Sequence, residues 1–283
     1  MAKQISMAEA LADPRPGKNS KLAKIDALID WPRLEPVLRE IRSGTFGRPP
    51  FAPLSMLKAL YLQTLYGLSD PGLEEALLDR TSFRAFCRFS LEDKTPDETT
   101  FCRFRADAAQ KKIVERCLEE INRQLETRGL MLKKGTLMDA TIVAAAHNPP
   151  PREAGMGSSH EREVGADWIN KNGKSYFGYK LHIGAEEGSL IIRKAVFTPA
   201  RTQDGEMFEA LLSGDEKAVY ADRAYESKAR RTAIKARGIK DRIMHRRHKH
   251  LKHLPARLWQ RNGLIARRRA PVEAVFSAPC SAP

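Results

Sequence analysis

Cysteine is scarce: 283 residues hold four, Cys87, Cys102, Cys117 and Cys280, and no two form a C-x-x-C pair. That scatter argues against a zinc module and against a disulfide framework, and leaves reduced cysteines in or near a core. Long apolar runs are missing as well, since no window approaches the roughly 18 uninterrupted apolar residues of a membrane span. The opening stretch, MAKQISMAEALADPRPGKNS, has no apolar signal core, so the expectation is an intracellular, cytoplasmic protein rather than a secreted one. There is no internal repeat. What is present is an ordinary globular composition in a chain long enough to bury a sizeable core and to divide into two domains.

Acidic residues are in deficit only at one end. Residues 222–283 carry 17 Lys and Arg against 4 Asp and Glu, whereas residues 1–221 carry 32 against 31, so nearly all of the net +14 lies in the last fifth of the chain. A solubility surplus would be dispersed. A concentrated basic segment points to a polyanion, with nucleic acid the natural one for a protein of the cell interior, or else to a solvated basic helix surface or tail.

The chain changes period once. After a Gly/Pro boundary at GTFGRPP, helix signals run to about residue 128. In APLSMLKALYLQTLYGLSD, Leu54, Leu57, Tyr61, Leu65 and Leu68 follow three-and-four spacing and predict one apolar face. DPGLEEALLDRTSFRAF predicts a second helix opened by Asp70 and Pro71. A third is expected to start at the capping box of Thr95, Pro96 and Glu98 and to run to Gly129. From residue 135 the segments GTLMDATIV, SYFGYKLHIGAEEG, SLIIRKAVFTPA and KAVYADRAY read as strands, with a hairpin turn at EEGS. QDGEMFEALLSG reads as a short helix and ESKARRTAIKARG as a longer basic one. The Pro/Gly/Ser-rich stretch 147–165 between the first two strands is an expected mobile loop. The expected organisation is thus a helical domain over 1–130 and a mixed α/β domain over 131–283.

Two strands carry a bare acid where an apolar residue belongs. Asp139 sits inside TLMDATIVAAA, and Asp222 ends the strand in KAVYADRAY. A buried ionised carboxylate costs several kcal/mol unless a hydrogen-bonding partner or a cation answers it. The carboxyl ends of strands in an open α/β sheet are where ligands bind, and two such acids side by side would need a shared proton or a cation between them. Magnesium suits oxygen donors of this kind and supports in-line displacement at phosphorus. Either aspartate taken singly could instead cap a helix or bond to nearby backbone. A third acid, Glu273, follows Pro271 in RRRAPVEAVFS and is expected in the first turn of a helix. Arg267, Arg268 and Arg269 precede it, placed to hold phosphates, although a first-turn Glu is also favoured by the helix dipole alone.

Other residues carry weaker signals. Asp204, in TQDGEMF, reads as a helix N-cap or as a support for the main acids. Lys180 and His182 alternate to one face of the second strand, where they could approach a phosphate or simply line an exposed face. His245, His248, His250 and His253 lie among Arg and Lys with no Cys or acid in the run, which favours a basic DNA-facing strand and loop over zinc. Trp259 could stack on a flipped base, but reads first as a buried helix anchor.

In this order and context the blocks resemble the IS5-type insertion-sequence transposases with a DDE catalytic triad. GRPPFAPLSMLKALYLQTLYGLSD and KTPDETTFCRFR are similar to that family's helical domain; LMDATIVAAA, GKSYFGYKLHIGAEEGSLI, FTPARTQDGEMFEALL and VYADRAYES are similar to successive blocks of its catalytic domain. The resemblance implies a ribonuclease H-like catalytic domain that cuts DNA at transposon ends and joins the 3′ hydroxyl to target DNA with Mg2+, for which Mn2+ can substitute. It implies Asp139, Asp222 and Glu273 as catalytic residues and metal ligands; Arg267, Arg268, Arg269, Lys180, His182 and Arg223 are the expected DNA contacts. Terminal repeats and target DNA are the implied partners of a homo-oligomer, nucleoid-associated when bound. The family's C-terminal signature spaces Tyr, Arg, Glu and Lys as Y-x2-R-x3-E-x6-K; Arg269 and Glu273 fit it, while Ala266 and Cys280 occupy the tyrosine and lysine positions. The closing APCSAP, with Pro279 and Pro283, opposes a continued helix and suggests an altered or shortened copy. A catalytically inactive DNA-binding remnant, acting as an inhibitor, is therefore the alternative, and a basic RNA-associated structural protein a third.

Overall fold

The computed structural model describes residues 21–41, 51–92, 94–145, 165–171, 173–247 and 253–277. Residues 147–164 of the expected loop, together with His248, His250, Pro279, Cys280 and Pro283, lie outside the described residues. The chain divides into two compact units between Arg128 and Gly129. No helix among the described residues is long and apolar enough to cross a membrane.

The first unit is helical: α1 (Lys21–Leu28), a 3-10 turn at Trp31–Leu34, α2 (Glu35–Leu38), α3 (Pro53–Tyr66), α4 (Asp70–Asp79), α5 (Thr81–Cys87), α6 (Glu98–Gln110) and α7 (Ile113–Thr127). Proline at its start and Gly67 in a left-handed conformation (φ 62°) just past its end delimit α3. Leu54 is buried and Leu57, Leu65 and Leu68 pack partly buried against the core, but the most buried side is turned from the stripe the spacing picks out. Leu54, Met56, Lys58, Ala59 and Leu62 are buried, whereas Tyr61 is 36% exposed. Apolar residues surround this helix almost completely, and a lysine marks the true inner side. Lys58 is 1% exposed, with Nζ 2.7 Å from Asp26 Oδ1 and 4.5 and 4.7 Å from the ring centres of Trp31 and Phe86. Burial lowers its pKa, and the bond to Asp26 opposes that shift.

Both longer helices expected from the sequence are broken. Arg80 is extended (φ −106°, ψ 102°) and separates α4 from α5, and Ser69 rather than Asp70 caps α4. Lys112, left-handed at φ 52°, separates α6 from α7 and turns Ile113 and Cys117 into the core. The start of α6 also differs from the capping box: Asp97 is the cap, its Oδ1 accepting from Thr100 N at 2.7 Å, and Glu98 is the first helical residue. Asp97 is an equally good capping type lying closer to the helix, and the Glu98 amide that Thr95 is expected to satisfy donates to Glu74 Oε2 at 2.9 Å. Cys87 and Cys117 are buried free thiols and Cys102 is an exposed one.

The second unit is a six-stranded mixed sheet ordered β2-β3-β1-β5-β6, with β4 also paired to β3. The strands are β1 (Thr136–Ala144), β2 (Asp167–Lys171), β3 (Lys174–Glu186), β4 (Ile192–Pro199), β5 (Ala218–Ala221) and β6 (Lys240–Ile243). The three pairings to β3 are antiparallel; β1–β5 and β5–β6 are parallel. A mixed sheet with helices on it matches a ribonuclease H-like domain. The hairpin turn expected at EEGS joins β3 to β4. Strand β2 gives no clear signal in the sequence, because DWINK has a charge at each end and only two apolar residues.

Alternation along the strands sorts the two faces. Met138, Val219, Ala221 and Ile243 pack on one side with Phe208, Tyr225 and Ile234, the last from α8 (Lys228–Ala236). Leu137 and Ile183 pack on the other with Val272, Tyr220 and Phe276. This second face receives α9 (Ala256–Arg269), a 3-10 turn at Ala270–Val272 and α10 (Glu273–Ser277). The segment after Gln203 forms only a 3-10 helix, Asp204–Met207.

Gly178 faces Ala144 across the β1–β3 ladder, at φ 154°. A Cβ there would lie 2.2 Å from Val143 O. Gly178→Ala is therefore expected to destabilise the second unit by about 1–3 kcal/mol. Gly263→Ala, in α9 with nothing near its added methyl, is expected to stabilise it by about 0.5–1 kcal/mol. Thermal melts of the two variants followed by circular dichroism should move in opposite directions.

Candidate active site

The parallel β1–β5 ladder pairs Thr136 with Val219 and Leu137 with Tyr220. Continuing the same register sets Asp139 level with Asp222. Period-two alternation puts Asp139 on the face of Leu137 and Asp222 on the face of Tyr220, the side covered by α9 and α10. Two acids far apart in sequence, Asp139 within β1 and Asp222 one residue past the end of β5, are thereby brought near enough for the Asp222 charge to act on Asp139.

Asp139 is answered twice. Its Oδ1 accepts from Ala140 N at 2.9 Å, and its Oδ2 accepts from Arg269 Nη1 at 2.6 Å. Asp139 and Arg269 side chains are 22% and 16% exposed, so the pair is only partly screened by water. Burial raises the Asp139 pKa, the Arg269 charge opposes that rise, and the Asp222 charge adds to it. Asp222 caps the following 3-10 turn, its Oδ1 accepting from Ala224 N at 2.8 Å. The backbone-bonding reading of each aspartate is thus observed, without removing either from the shared face.

Glu273 stands apart. Its side chain is 71% exposed, and its Oε1 lies 3.9 Å from Arg269 Nη2. Arg269 therefore lies between Asp139 and Glu273 and faces both. Among the described residues no three His, Cys, Asp or Glu are gathered closely enough to hold a metal ion. The donor set of Asp139 and Asp222, two carboxylates on one face, nevertheless has the oxygen chemistry that Mg2+ or Mn2+ takes. An arginine held against one of them shows that the position attracts positive charge.

The remaining expected residues are divided between surface and interior. Arg223 and Arg267 are exposed; Arg268 is exposed and lies 3.3 Å from Glu187. Lys180 and His182 do not line an exposed face: they are 8% and 0% exposed. Lys180 Nζ donates to Thr202 O at 2.7 Å and lies 2.9 Å from Asp204 Oδ1. His182 Nε2 is 3.0 Å from Thr198 Oγ1, its Nδ1 is 3.9 Å from Asp204 Oδ1, and burial lowers its pKa. Asp204 does not cap its 3-10 turn, where Gln203 is the boundary residue and makes no side-chain cap bond. The buried lysine claims the Asp204 charge instead. His245 Nδ1 lies 3.0 Å from Glu226 Oε1 and 3.3 Å from Arg231 Nη2. Trp259 is 69% exposed, not a buried anchor, because α9 turns Asn262 and Ile265 inward.

Tyr225, packed on the opposite face of the sheet, is a buried neighbour of the acids that sequence reasoning misses. It is 1% exposed, its hydroxyl has no hydrogen-bond partner among the described residues, and its pKa is raised by burial and then by the charges of Asp204, Asp222 and Asp139. Its place three residues after Asp222 is the one signal that points to it.

Two family comparisons cover most of the chain: residues 131–278 match the Transposase DDE domain, and residues 9–107 match the Transposase domain (DUF772). No solved structure matches.

A carboxyl group with a raised folded-state pKa destabilises the fold once pH rises past its unfolded value. The parent protein in metal-free buffer is therefore expected to lose melting temperature as the pH rises through the carboxylate range, a component that is missing from Asp139→Asn, which loses its bond to Arg269 at every pH. Melting curves at several pH values read both effects.

Proposed function

The chain belongs to the transposases with a DDE domain, a match spanning just over half its length, and from that membership we propose an IS5-type insertion-sequence enzyme that cuts DNA at transposon ends and joins the freed 3′ hydroxyl to target DNA. The observation that carries this reading is the β1–β5 register, which sets Asp139 level with Asp222 beneath Arg269.

Asp139 and Asp222, with Glu273 as the third carboxylate, would hold Mg2+, or Mn2+ in its place. Bound there, the ion supplies positive charge at the phosphate during in-line displacement. The chain's own residues do the rest. Arg269 offsets the Asp139 charge and, released from it, is within reach of Glu273 or of a substrate phosphate. Arg267, Arg268 and Arg223 bind phosphates from the surface, where Lys or Arg contacts set position rather than sequence. Lys180 and His182 act from behind the sheet face by fixing Asp204. Each reaction exchanges one P–O bond for another: water cleaves the transposon end and leaves a 3′ hydroxyl, which then displaces a bridging oxygen of the target strand. The helical unit binds DNA ends or joins copies of the chain into a homo-oligomer, which works in the cytoplasm on the nucleoid.

Glu273, exposed and only loosely engaged by Arg269, favours a second reading in which the chain binds DNA but does not cut it. Cleavage of a plasmid carrying the gene's flanking DNA, in Mg2+ or Mn2+, separates the two. The first reading expects cuts at the flanks that fall at least about a hundredfold in Asp222→Asn, the scale of losing one preorganised active-site charge. Tight, specific flank binding with no cleavage is the outcome expected of the second.

A further inference from the structure

A trough of about 780 Å3 lies between α9 and the β5–β6 side of the sheet, lined by Tyr220, Arg242, Arg257, Arg261, Leu264 and Arg268 among others. It adjoins a second hollow of about 430 Å3 that shares Arg242 and Arg261 and adds Lys235 and Lys240. We propose that this trough is a docking groove for the phosphodiester backbone of duplex DNA, separate from the acids where the cut is made. The proposal rests on the transposase reading for its partner.

The cations of the trough fall into two sets. Arg261 is committed to structure: Nη1 donates to Ile243 O and Nη2 to Asp241 O, each at 2.8 Å, so a side chain of α9 caps the carbonyls of the edge strand β6. Arg231 is likewise committed, with Nη1 2.8 and 2.7 Å from the two carboxylate oxygens of Asp241 and Nη2 3.1 Å from Glu226. Asp241, which lines the second hollow, is thus already neutralised, and its side chain is 8% exposed. Arg242 and Arg257 make no ion pair among the described residues, and both are exposed. An arrangement that uses its lining acid on partly buried arginines and leaves exposed arginines uncompensated favours a polyanion from outside.

The spacing fits such a ligand. Arg257, Arg261, Leu264 and Arg268 fall at helical three-and-four intervals, so they form one stripe along α9. From Arg257 to Arg268 the helix rises about 16 Å, a length over which one strand of B-form DNA presents about five phosphates. The stripe ends one residue before Arg269, which holds Asp139. A backbone lying in the trough is therefore led toward the acids. Leu264 and the ring of Tyr220 give the wall an apolar part that suits contact to the sugars between phosphates.

The test is fluorescence anisotropy of a short labelled duplex of arbitrary sequence, titrated at several salt concentrations in the Asp222→Asn background so that cutting cannot interfere. Arg242→Ala with Arg257→Ala is expected to weaken binding at least tenfold and to make the slope of log affinity against log salt shallower by about two, one for each phosphate that is no longer neutralised. Lys171→Ala with Lys174→Ala, exposed residues in the β2–β3 hairpin, makes the same change in net charge and is expected to cost less than threefold. Arg242→Lys with Arg257→Lys should keep most of the binding, since a phosphate accepts a point charge. Equal losses in the two alanine pairs, or no loss in the first, would overturn the groove. Neither result touches the cleavage assay: a chain that cuts flanks but ignores the arginine pair refutes the groove alone, and one that needs the pair to bind but never cuts refutes the enzyme reading alone.

Discussion

A carboxylate on an apolar strand has to be answered by positive charge, and in this protein the answer to Asp139 comes from Arg269, 130 residues further along the chain. That one ion pair ties the last helices of the catalytic unit to the strand that starts it. The apolar contacts beside it, Leu137 and Ile183 against Val272, are non-directional and would tolerate sliding. The 2.6 Å bond to Asp139 is directional and sets where α9 ends on the sheet. The same arginine lies 3.9 Å from Glu273, so under the proposed function the resting fold and the reacting site draw on one side chain.

The basic surplus of the last fifth of the chain is two populations with different tasks. Arg231, Arg261 and Arg269 are partly buried, face carboxylates or strand carbonyls, and hold α8, α9 and β6 together. Removing any of these takes a partner from a partly buried acid or carbonyl, which is more costly than losing a surface ion pair. Arg223, Arg242, Arg257 and Arg267 are exposed, and they contribute field rather than structure. A net charge read from composition cannot separate the two, because the sorting depends on which arginines the parallel β5–β6 edge and α9 bring to an acid.

Much of the site is legible in the sequence for one reason: strands have a period of two, so an acid breaking an apolar run is visible without a structure. Asp139 and Asp222 stand out in that way, and the register brings them level. Helical features are less legible where apolar residues surround a helix, as in α3, whose inner side is marked by the buried Lys58 and not by Tyr61. The breaks at Arg80 and Lys112 carry no Gly or Pro, and their unusual backbone angles follow from packing that sequence does not display. The pairing of Lys180 with Asp204 is hidden because a lysine on a strand reads as solvent-facing until its neighbour across the fold is known. Trp259 misleads in the opposite sense, being a large apolar residue left outside by the inward turn of Ile265.

Under the proposed function, Asp139 and Asp222 form one site that exchanges an arginine for a divalent ion. Anomalous scattering from a crystal of the chain soaked in Mn2+ tests this most directly. The expected result is a manganese peak between the two carboxylates, with the Arg269 guanidinium moved off Asp139 toward Glu273. Manganese absent from that position at saturating concentration, with Arg269 still bonded to Asp139, would contradict it.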